Sequence, residues 1–160
     1  MAVKIPVGNV KTHRVGNGKM YKMDVFVVLI KGKVSGAATR HLGIYLRGLL
    51  AQLHDRQQDS QGIAGGIVID LSRVVVLDSG GIGSITDIAE KARPLGIRVV
   101  IAGHGKGTQN LIVLDKLERC FPQREGTDPP TGARHRPSGR QIKGWYDTAE
   151  DALREAFESS

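Results

Sequence analysis

Apolar residues follow two rhythms along this chain: dense β-branched runs, and sparser stripes at three- and four-residue spacing. The runs predict strands and the stripes predict helices. Val10 to Val15 and Met23 to Val34 are the first two strands, the second carrying Val25-Phe26-Val27-Val28-Leu29-Ile30. Asn17-Gly18 between them is a hairpin signal. Ser35 then offers an N-cap to a helix striped by Leu42, Tyr45, Leu46, Leu49, Leu50 and Leu53, ending in the polar stretch Asp55 to Gly62. Ile67-Val68-Ile69 and Val74 to Leu77 make the next strand region, with a break at Ser72-Arg73. A second helix, with Gly80 to Ile82 at its N-terminus and an amphipathic run from Ile82 to Leu95, is striped by Ile85, Ile88, Ala89 and Ala92, and Pro94-Leu95-Gly96 stops it. Ile97 to Ala102 is almost continuously apolar, which predicts a strand buried on both faces. Leu111, Leu114 and Leu117 predict a third helix running to about Cys120.

Residues 122–144 break both rhythms. They hold Pro122, Pro129-Pro130, Pro137 and four glycines with no apolar period, so a long mobile loop is expected. Trp145-Tyr146 then touches back on the body, and Thr148 with Asp151 opens a last helix in a capping-box-like pair, with Leu153, Ala156 and Phe157 facing inward. The order β, β, α, β, α, β, α, loop, α contains two β-α-β units, whose right-handed crossovers imply a parallel core. The expected fold is therefore α/β: a mixed, mainly parallel sheet of four to five strands with about four helices. It forms one domain over residues 1–160 with a mobile insertion at 122–144.

The stretch most informative about function is Asp78-Ser79-Gly80-Gly81-Ile82-Gly83, followed by Ser84. It joins the apolar run Val74 to Leu77 to the second helix. A helix start offers unpaired N–H groups and partial positive charge to an anion or to a partner's acceptor. Three glycines there let another backbone approach closely. The plain alternative is a cap and a tight turn, since Asp and Ser are the preferred N-cap residues.

Composition narrows the field. Apolar residues make up 40% and charged residues 24%, ordinary values for a water-exposed globular domain. No run approaches the ~20 apolar residues of a membrane span, so no membrane insertion is expected. The single cysteine, Cys120, excludes an internal disulfide framework, and a cytoplasmic chain is expected. The net charge of +7 gathers in residues 1–33 and in Arg134, Arg136, Arg140 and Lys143. Such patches suit nucleic acid, a membrane surface or an acidic protein, or are a solvated surface. An aromatic content of 4% argues against a base-stacking platform, so nucleic acid is not the favoured partner.

Candidate chemistry is sparse. The five histidines, His13, His41, His54, His104 and His135, share no metal-ligand spacing, so neither a metal nor a cofactor is expected. Gly103-His104-Gly105-Lys106-Gly107-Thr108 resembles a phosphate loop but fails the Walker pattern, leaving a flexible strand-to-helix turn or a weak anion site. Ser79 lacks the flanks of a nucleophile elbow, because position 77 is Leu. Asp70 and Asp78 are a conceivable carboxylate pair, with helix capping as the ordinary role of strand-end aspartates.

Against this background the chain resembles the STAS domain family, the fold of bacterial anti-sigma factor antagonists. The likeness lies in Ile67-Val68-Ile69-Asp70-Leu71-Ser72, then Val74 to Leu77, then Asp78-Ser79-Gly80-Gly81-Ile82-Gly83. It continues through Arg93 to Gly103 and returns at Tyr146 to Leu153. The resemblance implies a non-enzymatic protein-interaction module whose partner is an anti-sigma factor or serine kinase-like protein, and it is compatible with a homodimer. It implies that Asp78 to Ser84 form the docking and switch segment, with Ser35 and Asp70 as helix-cap or binding positions. In kinase-regulated members the resemblance puts the phosphoacceptor after the first Ser of the motif. That position is Gly80 here, so the usual phosphoserine switch is expected to be missing, with Ser79 and Ser84 the neighbouring hydroxyls. Ser35 stands where the family often has Asp, and the 122–144 insertion replaces a short connection. Two other functions remain: a STAS subunit of a larger assembly, such as a stressosome or a lipid-transport complex, and a nucleotide- or nucleic-acid-binding protein.

Overall fold

The dense β-branched runs do pair. In the computed structural model, which describes residues 7–16, 22–59, 65–124 and 142–158, five strands form one sheet in sequence order. They are β1 (Val7–Gly16), β2 (Lys22–Val34), β3 (Gly66–Leu77), β4 (Arg98–Ala102) and β5 (Trp145–Tyr146). β1 runs antiparallel to β2, from Gly16 opposite Lys22 to Val7 opposite Ile30. The Asn17-Gly18 turn that would join them lies outside the described residues. Every other neighbouring pair is parallel, as crossover connections require.

The alternation along the strands divides the core into two layers. Phe26, Val28, Ile30, Ile67, Ile69 and Ile101 point to one face, beneath α1 (Ala37–Asp59), α2 (Ser79–Ala92) and α3 (Leu111–Cys120). Val25, Val68, Val100 and Ala102 point to the other, beneath the short α4 (Ala149–Ala152) and the π-helical turn Leu153–Glu158. The second layer is tight at Gly66, where an added Cβ would run into the ring of Phe157. Thr148 caps α4 through its hydroxyl, which accepts the Asp151 N–H at 3.0 Å.

Several sequence expectations shift in position. α2 starts at Ser79, which puts Gly80 to Ile82 in its first turn as expected, and it hands over to a 3-10 turn, Arg93–Leu95. Gly96 ends that turn at φ 72°, a left-handed conformation that side chains resist. β3 is one continuous strand, and the break expected at Ser72-Arg73 survives as irregular register against β2 between Leu29 and Lys33. Ser35 does not cap α1: the helix begins at Ala37, and Gly36 stands between them at φ 58°. Asp70 caps no helix either. It sits within β3, where its Oδ1 accepts the Ser72 N–H at 2.9 Å and shapes the irregularity. Leu111, the first leucine of the stripe that predicts α3, is 81% exposed, because the buried stripe of α3 runs through Val113 and Leu117.

The turn Gly103–Thr108 also differs from expectation. It is packed rather than loose: Gly103, Gly105, Gly107 and Thr108 are all buried against the second half of β3. A Cβ at Gly105 would stand 2.7 Å from the Val74 carbonyl oxygen and closer still to that of Leu71. The Thr108 hydroxyl turns inward and donates to the Gly105 carbonyl at 2.9 Å. This is no open phosphate cradle, since its glycines are packed against the backbone of β3.

The insertion leaves and re-enters the body at one point. The Pro122 carbonyl accepts N–H bonds from both Gly144 (2.8 Å) and Trp145 (3.1 Å). Arg98 braces the return, donating to the carbonyls of Lys143 (2.8 Å) and Ala156 (3.0 Å). Trp145 is buried as the start of β5 and donates its indole N–H to the Gly103 carbonyl at 2.9 Å. The mobile segment expected between these anchors falls mostly on residues 125–141, which lie outside the described residues.

Candidate functional site

The strand-to-helix junction at Asp78 is built by one carboxylate. Asp78 is the N-cap of α2, extended at φ −87° and ψ 177°, and its Oδ1 accepts the Gly81 N–H at 2.8 Å. The same oxygen accepts the Thr39 hydroxyl at 3.1 Å, and Oδ2 accepts the Gly36 N–H at 3.2 Å. One side chain therefore satisfies orphan donors at the starts of two helices, α1 and α2. The Ser84 hydroxyl closes a second link by donating to the Thr39 carbonyl at 3.1 Å.

These bonds fix the charge of the site. The Gly81 N–H above all, then the Thr39 hydroxyl and the Gly36 N–H, hold the Asp78 carboxyl below its ordinary range, against partial desolvation. An ionised carboxylate at the mouth of two helices also compensates both dipoles.

The segment expected to dock a partner divides into an inner and an outer part. Gly81 and Ile82 are buried, and a Cβ at Gly81 would meet the methyls of Leu77 at 2.6 Å and Val34 at 2.9 Å. Ser79, Gly80 and Gly83 are exposed, and Ser84 is half-buried. Position 80 nevertheless faces α1: a Cβ there would stand 2.7 Å from the Thr39 methyl. Ser79, the first residue of α2, carries the exposed hydroxyl of the segment.

Of the remaining expected positions, Ser35 is exposed next to Gly36 at the α1 start. Asp70 is not brought to Asp78. The two are joined by roughly 25 Å of extended chain, and Asp70 bonds Ser72 while Asp78 bonds the helix starts. No carboxylate pair forms. No group of three His, Cys, Asp or Glu able to hold a metal occurs among the described residues. Among them, no helix is long and apolar enough to cross a membrane. His104 pairs with Asp147 at 3.2 Å and stacks on Trp145 at 5.0 Å, which ties the packed turn to β5.

Sequence reasoning missed Thr39, Gly36 and Gly43. Thr39 joins the two helices, and a Cβ at Gly43 would meet the Ser84 hydroxyl at 3.2 Å, so α1 and α2 cross closely there. The one legible hint was the small-residue run Ser35-Gly36-Ala37-Ala38-Thr39 at the start of α1.

The comparisons with known proteins agree with this architecture. No curated protein matches the chain. Among solved structures, the crystal structure of the Thermotoga maritima protein TM1081, a candidate anti-sigma factor antagonist, superposes with a TM-score of 0.53 at 14% identity, covering 91% of this chain and 92% of that one. The NMR structure of TM1081 gives 0.51 at 14% identity, with 97% and 90% covered. The anti-sigma factor antagonist SpoIIAA in its unphosphorylated form gives 0.41 at 12% identity, with 61% and 74% covered. At such identities the TM1081 likeness speaks for the fold alone. The family model for the STAS domain matches residues 22–126, which span β2 through the start of the insertion. A mixed sheet with three helices on one face, an Asp-capped helix start after its third strand and that match together make the chain a member of the STAS domain family.

Proposed function

We propose that this protein is a non-enzymatic interaction module of the anti-sigma factor antagonist type. It would dock an anti-sigma factor or serine kinase-like protein through Asp78 to Ser84 and the adjoining start of α1. The observation that carries the reading is the exposed Ser79 at the start of a helix that Asp78 locks to α1. A rigid, small-residue helix start with one outward hydroxyl suits reversible docking, because little order has to be created on binding.

Gly80 removes the usual acceptor hydroxyl, and a segment without another acceptor would dock constitutively. The geometry adds a different consideration. A side chain at position 80 would point into the α1 seam, and the Ser84 hydroxyl is engaged with Thr39. The hydroxyl we assign to a phosphoryl switch is therefore that of Ser79. A phosphate of about −2 charge there would lie beside the ionised Asp78 and repel it, weakening the link between the helices that present the surface.

The test begins with recovery of the partner from the native cell, using the full chain as bait. Treatment of the complex with ATP and the recovered kinase is then followed by mass spectrometry. Phosphate on Ser79, its loss in Ser79→Ala and release of the partner on phosphorylation are expected. A bound partner with no phosphate on the chain would return the reading to constitutive docking. Binding that survives substitution of the whole segment would remove the docking assignment.

A further inference from the structure

The two faces of the sheet are covered unequally, and the difference exposes a surface separate from the Ser79 segment. α4 and its π-helical turn cover Val25, Val68, Val100 and Ala102, whereas at the far end of the β2–β3 pair Lys31, Lys33, Arg73, Val75 and Val76 are left exposed. There β2 and β3 run on together beyond β4, whose pairing with β3 stops at Asp70. Lys31 lies opposite Arg73 and Lys33 opposite Val76, all four exposed. Val75, the extra residue at the register shift, is 48% exposed and Val76 39%.

The charge arrangement is unfavourable for the free protein. Lys31 and Arg73 are like charges side by side across a strand pair, which destabilises it. None of the three cations makes an ion pair with a described residue. The nearest carboxylate in sequence, Asp70, is turned onto the Ser72 N–H instead. Three cations with no ion pair among the described residues, set around two exposed valines, match a ligand that is both acidic and apolar. We propose that this ribbon face is a second docking surface, and that its occupant is an acidic polypeptide segment carrying aliphatic side chains between its carboxylates. A nucleic-acid backbone would use the cations but not the valines. A bare strand surface also gives bases no aromatic ring to stack on. The inference does not depend on the function assigned to Ser79.

The probe is a fluorescein-labelled peptide of alternating glutamate and valine, titrated against the full chain by anisotropy and by amide chemical shifts. Binding is expected to shift the amides of 31–33 and 73–76, and to weaken at least tenfold in the Lys31→Glu/Lys33→Glu/Arg73→Glu variant. The neutral Lys31→Gln/Lys33→Gln/Arg73→Gln variant guards against misfolding: it should melt no lower than the native chain, since a repulsive pair is gone, and should also bind weakly. Rising salt should weaken binding without abolishing it, because the valine contacts are not screened. No binding by the native chain, binding unchanged in both variants, or shifts confined to other residues would overturn the proposal. So would tighter binding at these residues by a thymidine oligonucleotide or by phosphatidylserine vesicles.

Discussion

Two glycine-rich turns follow parallel strands at the same edge of the sheet, and they are put to opposite uses. After β3, Asp78-Ser79-Gly80-Gly81 turns into α2; after β4, Gly103 to Thr108 turns toward α3. In the first, Gly80 admits α1 at Thr39, Gly81 admits strand side chains, and the Ser79 hydroxyl is left outside. In the second, they admit the backbone of β3, and the Thr108 hydroxyl is drawn in to 1% exposure. Glycine content marks a close approach in both, but what approaches decides whether the turn is surface or core.

The sharpest way to break this contrast is Gly105→Ala. The new methyl would meet three carbonyl oxygens of β3, none on a flexible side chain, so relief requires backbone movement. A loss of about 3 kcal/mol is expected, at the upper end for overpacking, and urea unfolding measures it. A loss below about 0.5 kcal/mol, the scale of an ordinary surface change, would show that the turn is looser than drawn.

Asp78→Asn should have the next largest effect, about 2 kcal/mol: its amide oxygen can still cap α2, but the Gly36 N–H loses its acceptor and the charge at two helix starts is gone. It should also alter the acid limb. The folded carboxyl titrates below its unfolded value, so its contribution is complete above about pH 4 and is lost as pH falls through the folded value. Thermal melts from pH 6 to pH 2 should therefore fall less steeply in the variant than in the native chain. Equal slopes would show that Asp78 is not held ionised by its donors.

Gly80→Ser sharpens the contrast from the other side and should cost about 1 kcal/mol. The obstacle is a side chain, the Thr39 methyl, but a stiff β-branched one anchored by its bond to Asp78. Thr39→Ser keeps that hydroxyl and removes the methyl, so the double variant should recover most of the loss. An additive cycle would mean that the two positions do not meet.

Much of the fold was legible because long elements carry long signals. The leucine stripe of α1 and the β-branched density of β2 and β3 appear in the structure nearly where periodicity puts them. Short elements carry none: two residues cannot show a period, so β5 was legible only as aromatic residues that touch back. The 3.6-residue rhythm gave α3 but not its buried face, since Leu111 begins a stripe that the first turn of the helix leaves in solvent. Asp78 as a cap was legible because capping acts over three residues. Its bonds to Gly36 and Thr39 were not, because they span 42 and 39 residues and depend on how two helices cross. The inward aspect of position 80 was hidden for the same reason.

The pinned stem of the insertion has a consequence for how this domain can change. With Gly144 and Trp145 both bonded to Pro122, the two ends of the excursion are already adjacent, whatever runs between them. Each doubling of such a loop adds only about 0.6 kcal/mol of closure entropy. The domain is thus nearly blind to the length and content of what it carries at that point. Charge, recognition motifs or a whole folded unit could be exchanged there without renegotiating the sheet, as long as Arg98 and the Pro122 carbonyl keep the gate shut.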